Sequence, residues 1–199
     1  MEVIQTNNSC TMNKYDEENI IERLRGETTK RQAFAEVVNH YSRTLYWQVR
    51  HIVANHEDAD DVVQNTFLKA WRSIDSFEGG ARLSTWLYRI AYNESMTLLS
   101  QRRETLSIDE GTDDEEDGGG YAMQLESDEY VDGDKAQMIL QEAMAQLPAK
   151  QKAVFTMKYF NDMKYEDISE VTGTTIGALK ASYHLAVEKI TKYVRRIEN

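Results

Sequence analysis

Arg82, Thr85, Arg89, Tyr92 or Asn93, and Met96 follow one another at steps of three and four residues. That spacing sets them on one face of a helix, away from Leu87 and Ile90. Cations and flat groups mixed along such a stripe suit a strand of nucleic acid. Guanidinium groups meet phosphates, and aromatic or amide planes meet unstacked bases. A plainer reading stands beside it, in which Trp86, Tyr88 and Tyr92 are packing aromatics. Metal chemistry is less well served. His51 and His56 precede Glu57 and Asp58, but a spacing of five does not bring two side chains onto one helical face, and no further ligands recur nearby. Asp113, Glu115, Asp117 and Gly118 fall at positions 1, 3, 5 and 6 of a calcium loop, yet position 12 is Gln124, which lacks the bidentate carboxylate. Cys10 is the only cysteine, so neither a disulfide within the chain nor a cysteine metal cluster is available. No catalytic residue, metal or cofactor is expected.

Helices must position the stripe. Phe34, Val37, Val38, Tyr41, Leu45 and Val49 form one series at helical spacing. Val62, Val63, Phe67, Ala70 and Trp71 form a second. Leu83, Leu87, Ile90, Ala91, Glu94 and Leu98 form a third, which carries the stripe on its other side. Between the last two series, Ser73 to Ala81 reads as a loop from its Gly, Ser and Asp content. Near the C-terminus, Ile168 and Val171 give a short helix an apolar face. Ile176, Leu179 and Tyr183 do the same for a second helix. Gly173 suits the left-handed residue that ends the first, and Thr174 and Thr175 suit the N-cap of the second. Two helices about a glycine turn are the pattern of a helix-turn-helix, whose second helix enters the DNA major groove.

The charge is uneven. The chain has 23 Lys and Arg against 34 Asp and Glu, a net of −11. Residues 1–103 carry a net of −1, residues 104–134 a net of −13 with no basic residue, and residues 135–199 a net of +3. The acidity therefore describes one segment and does not exclude DNA binding by the others. That segment holds Asp113-Asp-Glu-Glu-Asp117 and Gly118-Gly-Gly120. It is expected to be a flexible linker, since like charges repel and glycine adds backbone entropy. Met1 to Asn19 lacks the apolar centre of a signal peptide, and no run reaches the roughly 18 apolar residues of a membrane span. A cytoplasmic protein without membrane insertion is expected. Pro148 is the only proline, which favours long helices.

Asp58-Ala-Asp-Asp-Val-Val-Gln-Asn-Thr-Phe-Leu-Lys-Ala-Trp71, the Phe77-Glu-Gly-Gly loop and Leu83-Ser-Thr-Trp-Leu-Tyr-Arg-Ile-Ala-Tyr-Asn93 together resemble domain two of an extracytoplasmic-function (ECF) sigma factor. Gln146-Leu-Pro-Ala-Lys-Gln-Lys-Ala-Val-Phe155, Tyr159-Phe160 and the helix-turn-helix resemble its domain four. Two independent blocks in the family's order make the resemblance specific. It implies an all-α protein of two helical domains: a tail at 1–16, domain two at 17–103, an acidic linker at 104–134 and domain four at 135–199.

The resemblance further implies a transcription-initiation subunit rather than an enzyme. It would bind core RNA polymerase, chiefly the β′ subunit and also β, and carry it to promoters. The family's polymerase-docking surface matches Asp58, Asp61, Gln64, Asn65 and Lys69. An acidic first turn that suits the helix dipole would account for the aspartates equally well. The family's grip on the single-stranded −10 element, with one base flipped into a pocket, matches Arg82, Ser84, Thr85, Trp86, Arg89 and Asn93. Its reading of the double-stranded −35 element matches Thr174, Thr175, Lys180, Ala181, Ser182 and His184, with Lys150, Lys152 and Lys158 as additional phosphate contacts. Here the chain departs from its relatives, where positions 182, 185 and 187 are often Arg; it has Ser182, Leu185 and Val187. An anti-sigma protein is an expected class of partner, although no motif identifies one. The acidic linker has two readings, a spacer or a mimic of the phosphate backbone in polymerase. The rival functions are an ordinary helix-turn-helix regulator, which leaves the 58–71 and 84–93 motifs without a role, and a carboxylate-dependent hydrolase, whose acidic residues would not be gathered in a linker.

Overall fold

A computed structural model describes residues 15–77, 79–110 and 135–198. Among the described residues the chain is helical without strands. The order is α1 (Glu17–Arg25), α2 (Lys30–Val53), α3 (His56–Ser73), a 3₁₀ turn (Ile74–Ser76), α4 (Leu83–Glu110), α5 (Lys135–Ala145), α6 (Ala149–Tyr159), α7 (Tyr165–Thr172) and α8 (Ile176–Glu198). The tail up to residue 14, the linker at 111–134 and the calcium-loop pattern within it lie outside the described residues.

Local chemistry sets the boundaries. Asp16 caps α1 by accepting from the Asn19 amide, and Asn55 caps α3 by accepting from the Asp58 amide. Gly173 closes α7 at φ 68°, its amide donating to the Ser169 carbonyl at 2.9 Å. This is the left-handed terminus that glycine adopts without a Cβ penalty. Thr175 then caps α8 by accepting from the Ala178 amide at 3.4 Å. The helix-turn-helix is thus built as its sequence implies.

Two boundaries differ from expectation. Helix α1 had no counterpart in the sequence reading, because its nine residues bury only Ile20 and Leu24. Helix α4 runs to Glu110, seven residues beyond the expected end of domain two at 103. Glu104, Thr105 and Leu106 carry the helix on, as residues with no strong bias against it.

Leu45, Val49, Ile52, Val62, Leu83 and Leu87 are buried at the centre of the first domain. The same contiguous cluster includes Val154, Met157, Ile168, Val171 and Leu179 of the second. A smaller cluster of Met144, Leu147, Phe155, Ala186 and Ile190 ties α5, α6 and α8 together. The two domains therefore pack directly, with α6 against α2 and α7 against α4.

Candidate nucleic-acid and partner interfaces

Helix α3 presents Asp61, Gln64, Asn65 and Lys69 to solvent, and Lys69 is paired with Glu94 of α4. Asp58 does not belong to this surface. It is only 7% exposed, and Arg102 of α4 holds its carboxylate at 2.5 and 2.6 Å. Burial pushes the Asp58 carboxyl up, and Arg102 pulls it back down. Its role is to fix the start of α3 against α4, which corrects the expectation that Asp58 is a surface contact.

On α4 the stripe divides. Arg82, Arg89 and Asn93 are exposed and Ser84 is half-buried. Thr85 and Tyr92 are buried, at 3% and 9% exposure. They lie beside Leu83, Leu87 and Ala91 in the core, so Thr85 is not an open contact residue. The wide apolar face of a helix packed on two sides takes in positions that a narrower stripe would leave outside. Trp86 and Tyr88 pack at the edge of the core, and Trp86 lies against Phe77 with ring centres 5.2 Å apart. The packing reading of the aromatics holds for Tyr92 and in part for Trp86 and Tyr88.

Arg89 is engaged across the seam. Its Nε donates to the Glu170 carbonyl at 3.0 Å, and its Nη2 lies 3.5 Å from the Glu170 carboxylate. Nearby, Asn161 donates to the buried Gln48 side chain at 3.2 Å, and the His51 ring stacks on Phe160 at 4.2 Å. His51 and His56 thus have separate partners. His51 is held at the seam, where burial lowers its pKa to about 4. His56 accepts or donates to the Tyr46 hydroxyl at 2.6 Å. Among the described residues, no group of three or more metal-ligating side chains gathers.

A hollow of about 190 Å³ opens beside the loop that precedes α4. It is lined by Ile21, Leu24, Arg25, Ile74, Asp75 and Phe77. Half of its wall comes from α1, which no motif in the sequence marks.

On the helix-turn-helix, Thr175, Lys180, Ala181 and His184 are exposed, while Thr174 and Ser182 are half-buried. The Lys180 ammonium lies 5.7 Å from the centre of the Tyr165 ring. Leu185 and Val187 are exposed apolar residues on the same helix. Of the three auxiliary lysines, Lys150 is exposed. Lys158 donates to the Met163 carbonyl at 3.1 Å. Lys152 is buried, at 9% exposure, and burial lowers its ammonium to about 8. It is therefore not a free phosphate contact.

Comparison with known proteins places this geometry. The Sigma-70 region 2 model matches residues 37–105, and the Sigma-70 region 4 model matches residues 137–190. The sigma-E factor of Haemophilus influenzae is 30% identical over 169 residues, covering 83% of this chain and 89% of its own. The ECF sigma factor SigW of Bacillus subtilis is 27% identical over 168 residues, covering 82% and 89%. Two solved structures share the fold. The sigma factor RpoE bound to the anti-sigma factor NepR from Bartonella quintana superposes with a TM-score of 0.65 at 24% identity, covering 81% of this chain and 96% of that one. CnrH bound to the cytosolic domain of CnrY gives 0.63 at 18% identity, covering 90% and 97%.

The fold and the two matched regions define a bacterial transcription-initiation factor. The chain belongs to the ECF sigma factors of RNA polymerase. It binds core RNA polymerase and promoter DNA and starts transcription from promoters. Among the described residues no helix is long and apolar enough to cross a membrane.

Proposed function

We propose that the outer face of α3 is the surface that docks on core polymerase, chiefly on β′ with β contributing, through Asp61, Gln64, Asn65 and Lys69. The observation that carries this is the exposure of four polar side chains on a helix whose opposite face is fully packed. Asp58 acts indirectly, by anchoring the helix to Arg102. The −10 strand runs over α4, with Arg82 and Arg89 on phosphates and Asn93 beside the bases. Ser84 and Trp86 lie at the start of that path. The hollow beside Phe77 receives the flipped base. It is smaller than the roughly 300 Å³ lower bound of drug-sized pockets, which suits a single base. Removing a base from the stack costs a few kcal/mol, so a shaped pocket and stacking must repay it.

Helix α8 enters the −35 major groove. Thr174, Thr175 and the helix N-terminus hold phosphates, and Lys180, Ala181, Ser182 and His184 line the reading face. Domain two spans residues 17–103 with α4 continuing beyond it, and domain four spans 135–199. The factor works in the cytoplasm and transfers no chemical group, so it is not an enzyme. An anti-sigma protein is its regulator, in keeping with the complexes in which both solved neighbours were determined, and its release answers an environmental or envelope signal.

Run-off transcription with purified core polymerase is the test. Starts at discrete promoter sites that depend on both the factor and the Asp61–Gln64 surface support the assignment. Starts that survive alteration of that surface place the docking face elsewhere.

A further inference from the structure

The face of α8 that points away from the core carries little that could grip DNA by charge. Leu179, Ala186 and Ile190 are buried. Opposite them stand Gly177, Ala181, Leu185 and Glu188 at steps of four, four and three residues, with His184 alongside. All five are exposed, and none is a Lys or Arg. Lys180 sits about a quarter-turn aside, over the Tyr165 ring. Lys189 donates to the Gln151 side chain of α6 at 3.1 Å. The first cation on this face is Lys192, about 16 Å along the axis from Ala181. That is well past the N-terminal turns that meet base edges in this motif. Glu188, which comes before it, repels phosphate.

Apolar surface stands where the charge is missing. Leu185 is 46% exposed in the middle of this face, one turn on from Ala181. The thymine C5-methyl is the apolar group that the major groove displays. One helical turn is about 5–6 Å, close to two base-pair steps of roughly 3.4 Å. Gly177 points the same way. A Cβ placed there meets nothing within 4 Å, and its φ is not positive. Neither packing nor a turn therefore calls for glycine. Glycine weakens a helix relative to alanine, and its use is to let the backbone come close to a ligand.

We infer that the −35 element of this factor is read chiefly through thymine methyl groups, with Leu185 and Ala181 each against one of them and Gly177 letting α8 settle to that depth. This rests on the placement of α8 in the −35 groove proposed above, and adds the base that the groove must hold. A·T pairs stand at the positions that Leu185 and Ala181 face. His184 supplies the hydrogen bond beside them, as donor or acceptor.

The test uses holoenzyme assembled from the full chain and core polymerase, and a promoter library randomised across the −35 region. The preferred −35 sequence should carry thymine at two or more positions. Replacing each of those thymines in turn by deoxyuridine removes the methyl and keeps the base pair. Each replacement should weaken promoter binding about three- to fivefold, the worth of one buried methyl group. In Leu185→Ala, whose side chain is exposed and free to change without disturbing the core, the penalty should vanish at one of these positions and persist at the other. Leu185→Arg should move the preference at that position to guanine, the base that arginine pairs with in this groove. Gly177→Ala should melt no lower than the parent chain and yet bind the preferred sequence several-fold more weakly. Deoxyuridine that binds as well as thymine overturns the inference, as does a Leu185→Arg holoenzyme with an unchanged preference. A clear −35 preference that ignores the methyl groups spares the placement of α8 and removes only the inference. A library with no preference anywhere in the −35 region removes both.

Discussion

The outer faces of α3 and α4 are neighbours with opposite fates. Both are polar stripes on long helices packed into the same core. The α3 stripe pairs within its own domain, Lys69 with Glu94, whereas the α4 stripe meets α7 through Arg89 and Glu170. The difference separates two tasks that a sigma factor performs in sequence. Binding polymerase needs a surface that is always available. Binding single-stranded promoter DNA is useful only after polymerase is in hand, and a cationic stripe exposed at all times would collect nonspecific nucleic acid. In this packing α4 shares a contact with the second domain at Arg89 and Glu170, and the polar face of α3 does not.

One expected effect breaks the contrast by pH. His51 has an ordinary value of 6.5 and is held near 4 by burial against the second domain, with Arg50 adding repulsion. A depressed value means that the neutral form is favoured in the closed state. The stabilisation is present above pH 6.5 and is lost as the pH falls from there towards 4. The full shift corresponds to about 3 kcal/mol, and opening recovers only part of it, since α2 still shields the ring. Lowering the pH from 7.5 to 5 should therefore open the seam by about 1–2 kcal/mol. Energy transfer between dyes on the two domains would report it. In His51→Phe the pH response over that range should largely vanish while the stack on Phe160 persists. A response that survives in His51→Phe assigns the titration to another group.

The next effect tests the open side of the comparison. Asp61→Ala with Gln64→Ala should weaken binding to core polymerase by about 2 kcal/mol, or roughly 30-fold, as expected for central interface residues. The helix should stay folded, because both side chains are exposed. The seam variants Phe160→Ala and Asn161→Ala should leave that affinity within about twofold, since they lie on another face. Titration against core polymerase with circular dichroism as a control measures both. Equal losses from the two pairs would erase the distinction between the faces.

A third effect concerns Lys152. Its ammonium is lowered from 10.5 to about 8 by burial, so the charged form is disfavoured in the folded state. It costs stability below pH 8, and the cost fades as the pH rises from 8 to 10.5. Lys152→Met should stabilise the protein by about 1–3 kcal/mol at pH 7 and flatten the rise in stability between pH 8 and 10.5. Denaturant unfolding at several pH values checks the sign.

What the sequence disclosed, and what it hid, follows from range. Helical periodicity located α2, α3, α4 and the helix-turn-helix, because each buries a long series such as Phe34, Val37, Tyr41, Leu45 and Val49. Gly173 and Thr175 marked their turn because their conformational roles are local. Helix α1 escaped notice with two buried residues. The wrong side was assigned to Thr85, Asp58 and Lys152, since burial of a polar residue depends on what packs over it. Arg102 lies 44 residues from Asp58, and Glu170 lies 81 residues from Arg89. No spacing rule connects them. The seam residues Gln48, Asn161 and Glu170 were invisible for the same reason.

The smallest effect sharpens the reading of the second domain, where Arg is absent from positions 182, 185 and 187. Lys180 is exposed near the start of α8, but its ammonium lies over Tyr165, at the start of α7. The first helix of this motif runs along the DNA backbone, so Lys180 is drawn towards phosphate rather than towards a base edge. Lys180→Ala should therefore weaken −35 binding by about 1 kcal/mol, similarly for every sequence, and reduce the salt slope by about one. A base contact would instead cost about 1–3 kcal/mol at the preferred sequence alone and relax one position. Binding of a −35 duplex library at two salt concentrations separates these outcomes, preferably in the Phe160→Ala and Asn161→Ala background so that the seam does not contribute. A sequence-selective loss would place Lys180 in the groove and turn its contact with Tyr165 into a feature of the unbound state.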